Sequence, residues 1–388
     1  MPDIARVTNK GTRRWAAGHP WIYRSDVMER PGGPAGAVLV EDNRGRKLGW
    51  ALWSPQSEIS LRMIEHDSAA TIDAGWWRRK IESAVGRRNG IPSDVNAFRL
   101  IHGEGDGLPS LICDRYDRWL VVQLMSAGLE AFREEIVSAL IDITKAEGIL
   151  ARNDVPLRSK EGLERNTELL HGEVPREIVV EEYGIKFIAA PWTGQKTGAF
   201  LDQRENRRRI GELARGRALD CFSYHGSFAL HLAQRADDVL AIDSSAQALA
   251  RAEENAKLNE FTNIRYQVAD AFDYLRELSR TGARFDTIVL DPPAFAKSRS
   301  HVEGALRGYK DINLLGMKLL APGGTLYTAS CSFHLTKPLF LEMLQQAAEE
   351  SGRVIAFREC LGQPVDHPEI LSIPETGYLK GALLEAMN

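Results

Sequence analysis

From residue 218 onward, short apolar or β-branched runs alternate with amphipathic stretches, and this alternation constrains the fold more than any other feature of the chain. The runs are ALDCFS (218–223), VLAID (239–243), IRYQVAD (264–270), DTIVLD (286–291), GTLYTAS (324–330) and RVIAFREC (353–360). Between them lie segments such as SAQALARAEENAKLNE and KPLFLEMLQQAAEES, with helical patterning. Strands alternating with helices of this length predict βαβ units, hence an α/β, doubly wound Rossmann-like parallel sheet with helices on both faces. A last apolar segment, GYLKGALLEAM, follows no helix long enough for a crossover and is expected to pair antiparallel at the sheet edge.

The residues before this region read differently. Residues 1–66 hold AVLVED, KLGWALWS and ISLRMI, separated by PGGPAG, DNRG and SPQ turns, which predicts a small β-barrel or sandwich. Residues 67–185 mix helices over AGWWRRKIESAVGRR and LEAFREEIVSALIDITKAEG with strands around LPSLICDRY and RWLVVQLM, an α+β middle domain. The expected division is therefore 1–66, 67–185 and 186–388.

With 44% apolar and 26% charged residues, the composition is that of a globular chain rather than a disordered or membrane-embedded one. No apolar run approaches the ~18 residues a membrane span needs, and MPDIARVTNKGTRRWAAGHPW lacks the apolar core of a secretory signal, so a cytoplasmic location is expected. Cys113, Cys221, Cys331 and Cys360 form no C-x-x-C pair and have no His partner at ligand spacing, so neither a metal site nor a disulfide scaffold is expected. The formal net charge is −4, yet basic residues cluster at 76–90, at 204–217 and in KSRS at 297–300. Such clusters are either solvated helix faces or phosphate-binding surfaces. The sequence leaves the oligomeric state open, a homodimer included.

The first strand of the alternating region runs into LDCFSYHGSFALHLA, where a strand turns into a helix and doubly wound sheets bind ligands. The loop from Asp220 through Phe222 to Gly226 has one glycine, so G-x-G-x-x-G is absent and a dinucleotide phosphate is disfavoured. The second strand ends in Asp243, near the offset at which an acid meets ribose hydroxyls, and the third in Asp270, followed by Ala271. Three strand-end carboxylates would repel a phosphate and welcome a sulfonium cation with a ribose and an adenine amine. Each could instead cap the helix after it.

These stations resemble the class I S-adenosylmethionine-dependent methyltransferases over roughly residues 190–388. The resemblance implies that Asp220 to Gly226 is the methionine-binding loop, that Asp243 binds ribose, that Asp270 and Ala271 lie beside adenine, and that DPPAF is the catalytic loop. In that loop Asp291 offers a charged acceptor, Pro292 and Pro293 rigidify the backbone, Phe295 offers a stacking face, and Lys297 follows. The aromatic comes one residue later than in the D-P-P-aromatic loop associated with amino-group methylation.

The fifth strand ends in TASCSFH, which puts Cys331 at the same sheet edge, between Ser330 and Ser332. Carbon 5 of a pyrimidine becomes nucleophilic only after a thiolate adds to carbon 6, so a cysteine here, beside an acid such as Asp291, suits carbon-5 methylation. The whole chain is similar to the bacterial 23S ribosomal RNA cytosine-5 methyltransferase family of the RlmI type. KGTRRWAAGHPWIY looks like that family's RNA-binding PUA barrel, IHGEGDGLPSLICDRY like its middle domain, and TGQKTGAFLDQRENR and RGYKDINLLGMKLLAPGG like its methyltransferase segments. The resemblance implies S-adenosylmethionine as cofactor and ribosomal RNA as partner. It also implies that Phe200, Asp202, Gln203 and Arg204 sit near the cofactor or hold its loop.

Arg13, Arg14 and Arg204 are candidate RNA contacts, with Trp21 expected in the barrel core. The rival readings are a guanine-N7 RNA methyltransferase, which needs no cysteine, a catalytically silent RNA-binding assembly factor, and a small-molecule methyltransferase.

Overall fold

A computed structural model describes residues 2–295 and 302–388. Lys297 and the KSRS patch at 297–300 lie outside the described residues. The chain divides into two compact units, the first made of Met1–Val180, Ala189–Leu201 and Val365–Thr376, the second of Glu181–Ile188, Asp202–Pro364 and Gly377–Asn388.

In the first unit, turn-separated apolar runs make a six-stranded sheet: β1 (Ile4–Val7), β2 (Trp21–Ile22), β3 (Val27–Glu29), β4 (Gly36–Glu41), β5 (Lys47–Trp53) and β6 (Leu61–Glu65), in the order β2-β6-β5-β4-β1-β3. Helix α1 (Asn9–Ala16) starts where the Thr8 hydroxyl accepts the Gly11 N–H at 3.2 Å, which satisfies one of the orphan donors of the first turn. A second sheet of β7 (Ala97–His102), β8 (Leu111–Tyr116), β9 (Trp119–Leu124), β10 (Gly148–Arg152) and β11 (Thr167–Gly172) runs in the order β11-β10-β9-β8-β7. Helix α2 (Ala74–Gly86) buries Trp76, Trp77 and Ile81 in the core beside that sheet. The long helix expected over residues 129–148 is interrupted. It forms as α3 (Ala127–Glu130) and α4 (Arg133–Thr144), because Phe132 leaves helical geometry to tilt its ring against buried Trp77 at 5.2 Å. A short helix, α5 (Leu157–Lys160), follows β10.

A two-stranded sheet, β12 (Ile178–Glu182) and β13 (Ile185–Ala189), precedes the second unit's main sheet. That unit has seven strands in the order β16-β15-β14-β17-β18-β20-β19: β14 (Arg217–Cys221), β15 (Asp238–Asp243), β16 (Ile264–Val268), β17 (Phe285–Leu290), β18 (Leu320–Ser330), β19 (Ile355–Leu361) and β20 (Lys380–Ala386). Its helices are α6 (Arg204–Leu213), α7 (Ser227–Ala233), α8 (Ala246–Leu258), α9 (Ala271–Arg280), α10 (Val302–Leu319) and α11 (Lys337–Ser351). Strands β14 to β18 are parallel, as the alternation predicts. Alternate residues of each strand feed two cores. Ile288, Leu290 and Leu326 pack with α10 and α11, while Val289, Tyr327 and Ala329 pack with α6 and α7.

The last strand departs from expectation: β20 lies between β18 and β19, antiparallel to both, and β19 forms the edge. The reason is chemical. KGALLEA is buried on both faces, as an interior strand requires, whereas β19 exposes Phe357, Arg358 and Cys360 and suits an edge. Gly381 permits the close approach, since a Cβ there would stand 2.8 Å from the Tyr327 hydroxyl.

Behind the sheet, Glu182, Arg207 and His231 form a buried cluster that ties the β12–β13 segment to α6 and α7. Arg207 donates to both Glu182 oxygens at 2.7 and 2.6 Å, and His231 Nε2 lies 3.0 Å from Oε1. Burial opposes the charge on Glu182, but Arg207 and His231 hold its pKa down at about 2.

Candidate active site

The C-terminal ends of β14, β15, β17 and β18 bring the candidate residues to one edge of the second unit's sheet. The loop after β14 holds Phe222, Tyr224 and Gly226 at φ of 65°, 50° and 78°. Every second residue is left-handed, a run that glycines ordinarily fill, and two bulky aromatics tolerate it here. Gly226 itself is required twice over: its φ is positive, and a Cβ would come 2.8 Å from the Ala252 methyl.

Asp220 is buried and accepts from the Ser223 hydroxyl at 2.6 Å and from the Ala229 N–H at 3.0 Å. Burial pushes its carboxyl up to about 7 against these two hydrogen bonds, and the charges of Asp291 and Asp243 add to the rise. Asp243 accepts from the backbone N–H groups of Tyr224 at 2.9 Å and Ser245 at 2.8 Å, so it shapes the loop at the strand end. Asp270 is exposed and caps α9, accepting from Phe272 N at 2.9 Å, with Ala271 buried beside it. The capping role and the ligand role were alternatives in sequence, and in the structure Asp270 performs the first.

Asp291 is held from behind. Gln203 Oε1 accepts from the Tyr327 hydroxyl at 2.9 Å and from Asn206 Nδ2 at 2.6 Å, so its Nε2 must face Asp291, where it donates to Oδ1 at 2.8 Å. Asp202 accepts from the Tyr378 hydroxyl at 2.7 Å. Pro292 is buried and Pro293 exposed. Phe295 is half-buried in an aromatic cluster rather than standing free, with its ring centroid 4.5 Å from Tyr309, 5.8 Å from Phe272 and 6.5 Å from Phe222.

Cys331 directly follows β18 and is half-exposed, whereas Cys113 and Cys221 are wholly buried, with thiols pushed up by burial. Tyr309, from the middle of α10, joins the two loops: its hydroxyl lies 3.0 Å from Ser332 Oγ and accepts the Phe295 N–H at 3.5 Å. Sequence reading missed Tyr309 and Tyr327, which lie inside the segments RGYKDINLLGMKLLAPGG and GTLYTAS.

Arg204 is fully buried against Glu205 at 3.1 Å, so the structure withdraws it from RNA contact. Phe200 belongs to the first unit, with the Lys196 ammonium 4.6 Å over its ring. In the six-stranded domain Arg13 is exposed and Arg14 lies over the Tyr23 ring at 4.6 Å, in the last turn of α1. Trp21, expected in the barrel core, is half-buried, because its indole N–H reaches out to Glu104 at 2.9 Å.

A model of S-adenosylmethionine-dependent methyltransferases matches residues 98–384, and one of PUA-like domains matches residues 5–66. The chain belongs to the S-adenosylmethionine-dependent methyltransferases. Its relatives are closer than that class: proteins named ribosomal RNA large subunit methyltransferase I from Aeromonas salmonicida (41% identity, 95% of each chain) and Aliivibrio fischeri (40% identity, 97% of each) place it in their family. Among solved structures, a methyltransferase from Streptococcus mutans matches the fold at TM-score 0.83 and 20% identity, over 99% of this chain and 100% of that one. A methyltransferase complexed with S-adenosylhomocysteine (SAH) matches with the same figures.

The residues present fit the methyl donor. Asp243 and Asp291, whose charges add to the burial-driven rise of the Asp220 carboxyl, give this edge a negative field that suits the cationic sulfonium and amino groups of S-adenosylmethionine. No described helix is long and apolar enough to cross a membrane.

Proposed function

We propose that this protein methylates carbon 5 of a cytosine in large-subunit ribosomal RNA through a covalent bond to Cys331. The names of its relatives support the RNA substrate. The observation that carries the carbon-5 reading is the placement of Cys331, a half-exposed thiol at the strand end whose loop is tied through Tyr309 to the Asp291–Phe295 loop.

S-adenosylmethionine, when bound, supplies an electrophilic methyl group on sulfur. The Asp220–Gly226 loop with Asp243, Asp270 and Ala271 holds it, and Gln203 acts by fixing Asp291. The Cys331 thiolate adds to carbon 6 of the base, and the electron pair of the 5,6 double bond becomes available at carbon 5. Asp291 anchors the base's ring nitrogen or amine, and Pro292 and Pro293 keep that loop stiff. Once carbon 5 carries the methyl group, loss of its proton re-forms the double bond and expels the thiolate. The base must leave its stack to reach this edge, at a cost of a few kcal/mol. The aromatic cluster around Phe295 and the basic residues Arg13 and Arg14 are the surfaces assigned to offset it.

RNA carrying 5-fluorocytosine at the target should trap a covalent protein–RNA adduct, because fluorine cannot leave as a proton does. Cys331→Ala should bind RNA and cofactor yet form no adduct and transfer no methyl, while Cys221→Ala keeps the adduct. An active Cys331→Ala enzyme would overturn the carbon-5 reading in favour of attack by a ring nitrogen such as guanine N7.

A further inference from the structure

We infer that Asn255 is a positioning residue for the methyl donor, its buried amide holding the Asp220–Gly226 loop in shape and tying that loop to strand β13. The inference rests on the reading of this loop as the cofactor's. Asn255 lies in the body of α8 and is fully buried. Its Oδ1 accepts the Ile188 N–H at 2.9 Å, so its Nδ2 must face the other way, where it donates to the His225 carbonyl at 2.9 Å.

Among the described residues β13 pairs in its sheet only with β12, so its other edge presents N–H and C=O groups that need partners. Two residues along a strand span about 6.6 Å and four along a helix about 6 Å, so amides at i and i+4 of α8 match alternate residues of that edge. Asn259 accepts the Lys186 N–H at 2.8 Å and donates to the Lys186 carbonyl at 2.6 Å and to the Asn255 carbonyl at 2.7 Å. The donor of Asn259 stays with the hairpin and its own helix. That of Asn255 goes to the loop.

The loop needs such a hold. Phe222 and Tyr224 are left-handed without being glycine, and conformations of that kind persist only where the surroundings over-determine them. Asp243 takes the Tyr224 N–H from one side, and Asn255 takes the next residue's carbonyl from the other. Asparagine is a poorer helix former than the residues at the other buried positions of α8, Ala248, Leu249, Ala252 and Ala256, so the helix itself does not call for it. With both holds in place the backbone that meets the methyl donor is set before the donor arrives, and binding has less order to impose.

The test is S-adenosylhomocysteine binding by calorimetry in the full chain. Asn255→Ala should weaken it about tenfold. The KM for S-adenosylmethionine should rise by the same factor with kcat at saturating donor unchanged, since an occupied loop presents the methyl group as before. A role in folding alone would instead lower kcat with the number of active molecules and leave KM where it was. Asn259→Ala loses bonds to the same hairpin and should keep affinity within about twofold. Wild-type affinity in Asn255→Ala would overturn the inference, and so would an equal loss in both variants. One measurement does not depend on how the variants fold: in the wild type, S-adenosylhomocysteine should slow hydrogen exchange in residues 185–189, and unchanged exchange there would also overturn the inference. Asp243→Ala, which removes the loop's other hold, tells the two readings apart. If it weakens binding while Asn255→Ala does not, only the role of Asn255 falls, whereas wild-type affinity in both means that the loop is not the cofactor's.

Discussion

Asp220 is the residue whose ionisation is most at odds with its surroundings. It is buried, it accepts two hydrogen bonds that favour the carboxylate, and burial still pushes it up to about 7. In the unfolded chain an aspartate ionises near ~3.9, so between that value and about 7 the folded state binds the extra proton. Stability therefore falls as pH rises through this window and levels off above it. Asp220→Asn still accepts from Ser223 and Ala229 but carries no such slope. Its unfolding free energy relative to wild type should improve from pH 5 to pH 8, by up to a few kcal/mol at ~1.4 kcal/mol per pKa unit. Urea denaturation at the two pH values measures the difference, and parallel pH profiles would show that the carboxyl is not raised. The same residue was legible in sequence as a strand-end acid. Its burial was not, because burial depends on Ser227–Ala233 folding back over it as a helix.

At the scale of elements, the turn between β14 and α7 sets how closely a ligand can approach the sheet. Gly226→Ala would place a Cβ on a positive φ and 2.8 Å from Ala252 on α8. The strain of ~1–2 kcal/mol and the forced separation of α7 from α8 should lower the melting temperature and weaken S-adenosylmethionine binding in calorimetry. Wild-type affinity and melting together would mean that the helices yield without moving the loop. The parallel strands were readable because each apolar run is followed by a helical period and ends in a polar residue. The position of β20 was harder to see, although KGALLEA is apolar on both faces and RVIAFREC is not. Strand order depends on which edges meet, and the β18–β20 pairing, from Thr325 with Glu385 to Ser330 with Lys380, joins residues too far apart in the chain to leave a local trace. The glycine-poor loop hid its geometry for a related reason: Phe222 and Tyr224 adopt angles their side chains disfavour, and neighbouring structure imposes them.

For the whole molecule, net charge is a poor guide to RNA affinity, because much of the arginine is already committed. Arg88 is buried against Asp106, Arg207 against Glu182 and Arg204 against Glu205, so two of the basic clusters are in part internal scaffolding. Arg13 and Arg14 remain at the end of α1. Log affinity for single-stranded RNA should fall with log salt at about −0.7 per neutralised phosphate. The Arg13→Glu, Arg14→Glu double variant should flatten that slope and weaken RNA binding without altering cofactor affinity, and an unchanged slope would place the RNA on another surface. The order of strands also bears on how the molecule comes into being. Among the described residues, 355–361 pair in the sheet only with 380–386, so during synthesis at roughly 5–20 residues per second that edge has nothing to join until the later strand emerges from the ribosome. A nascent chain that stalls before this point leaves residues 355–361 with no strand to pair with, so the antiparallel side of the sheet closes in a single event, when the later strand takes its place between its two neighbours.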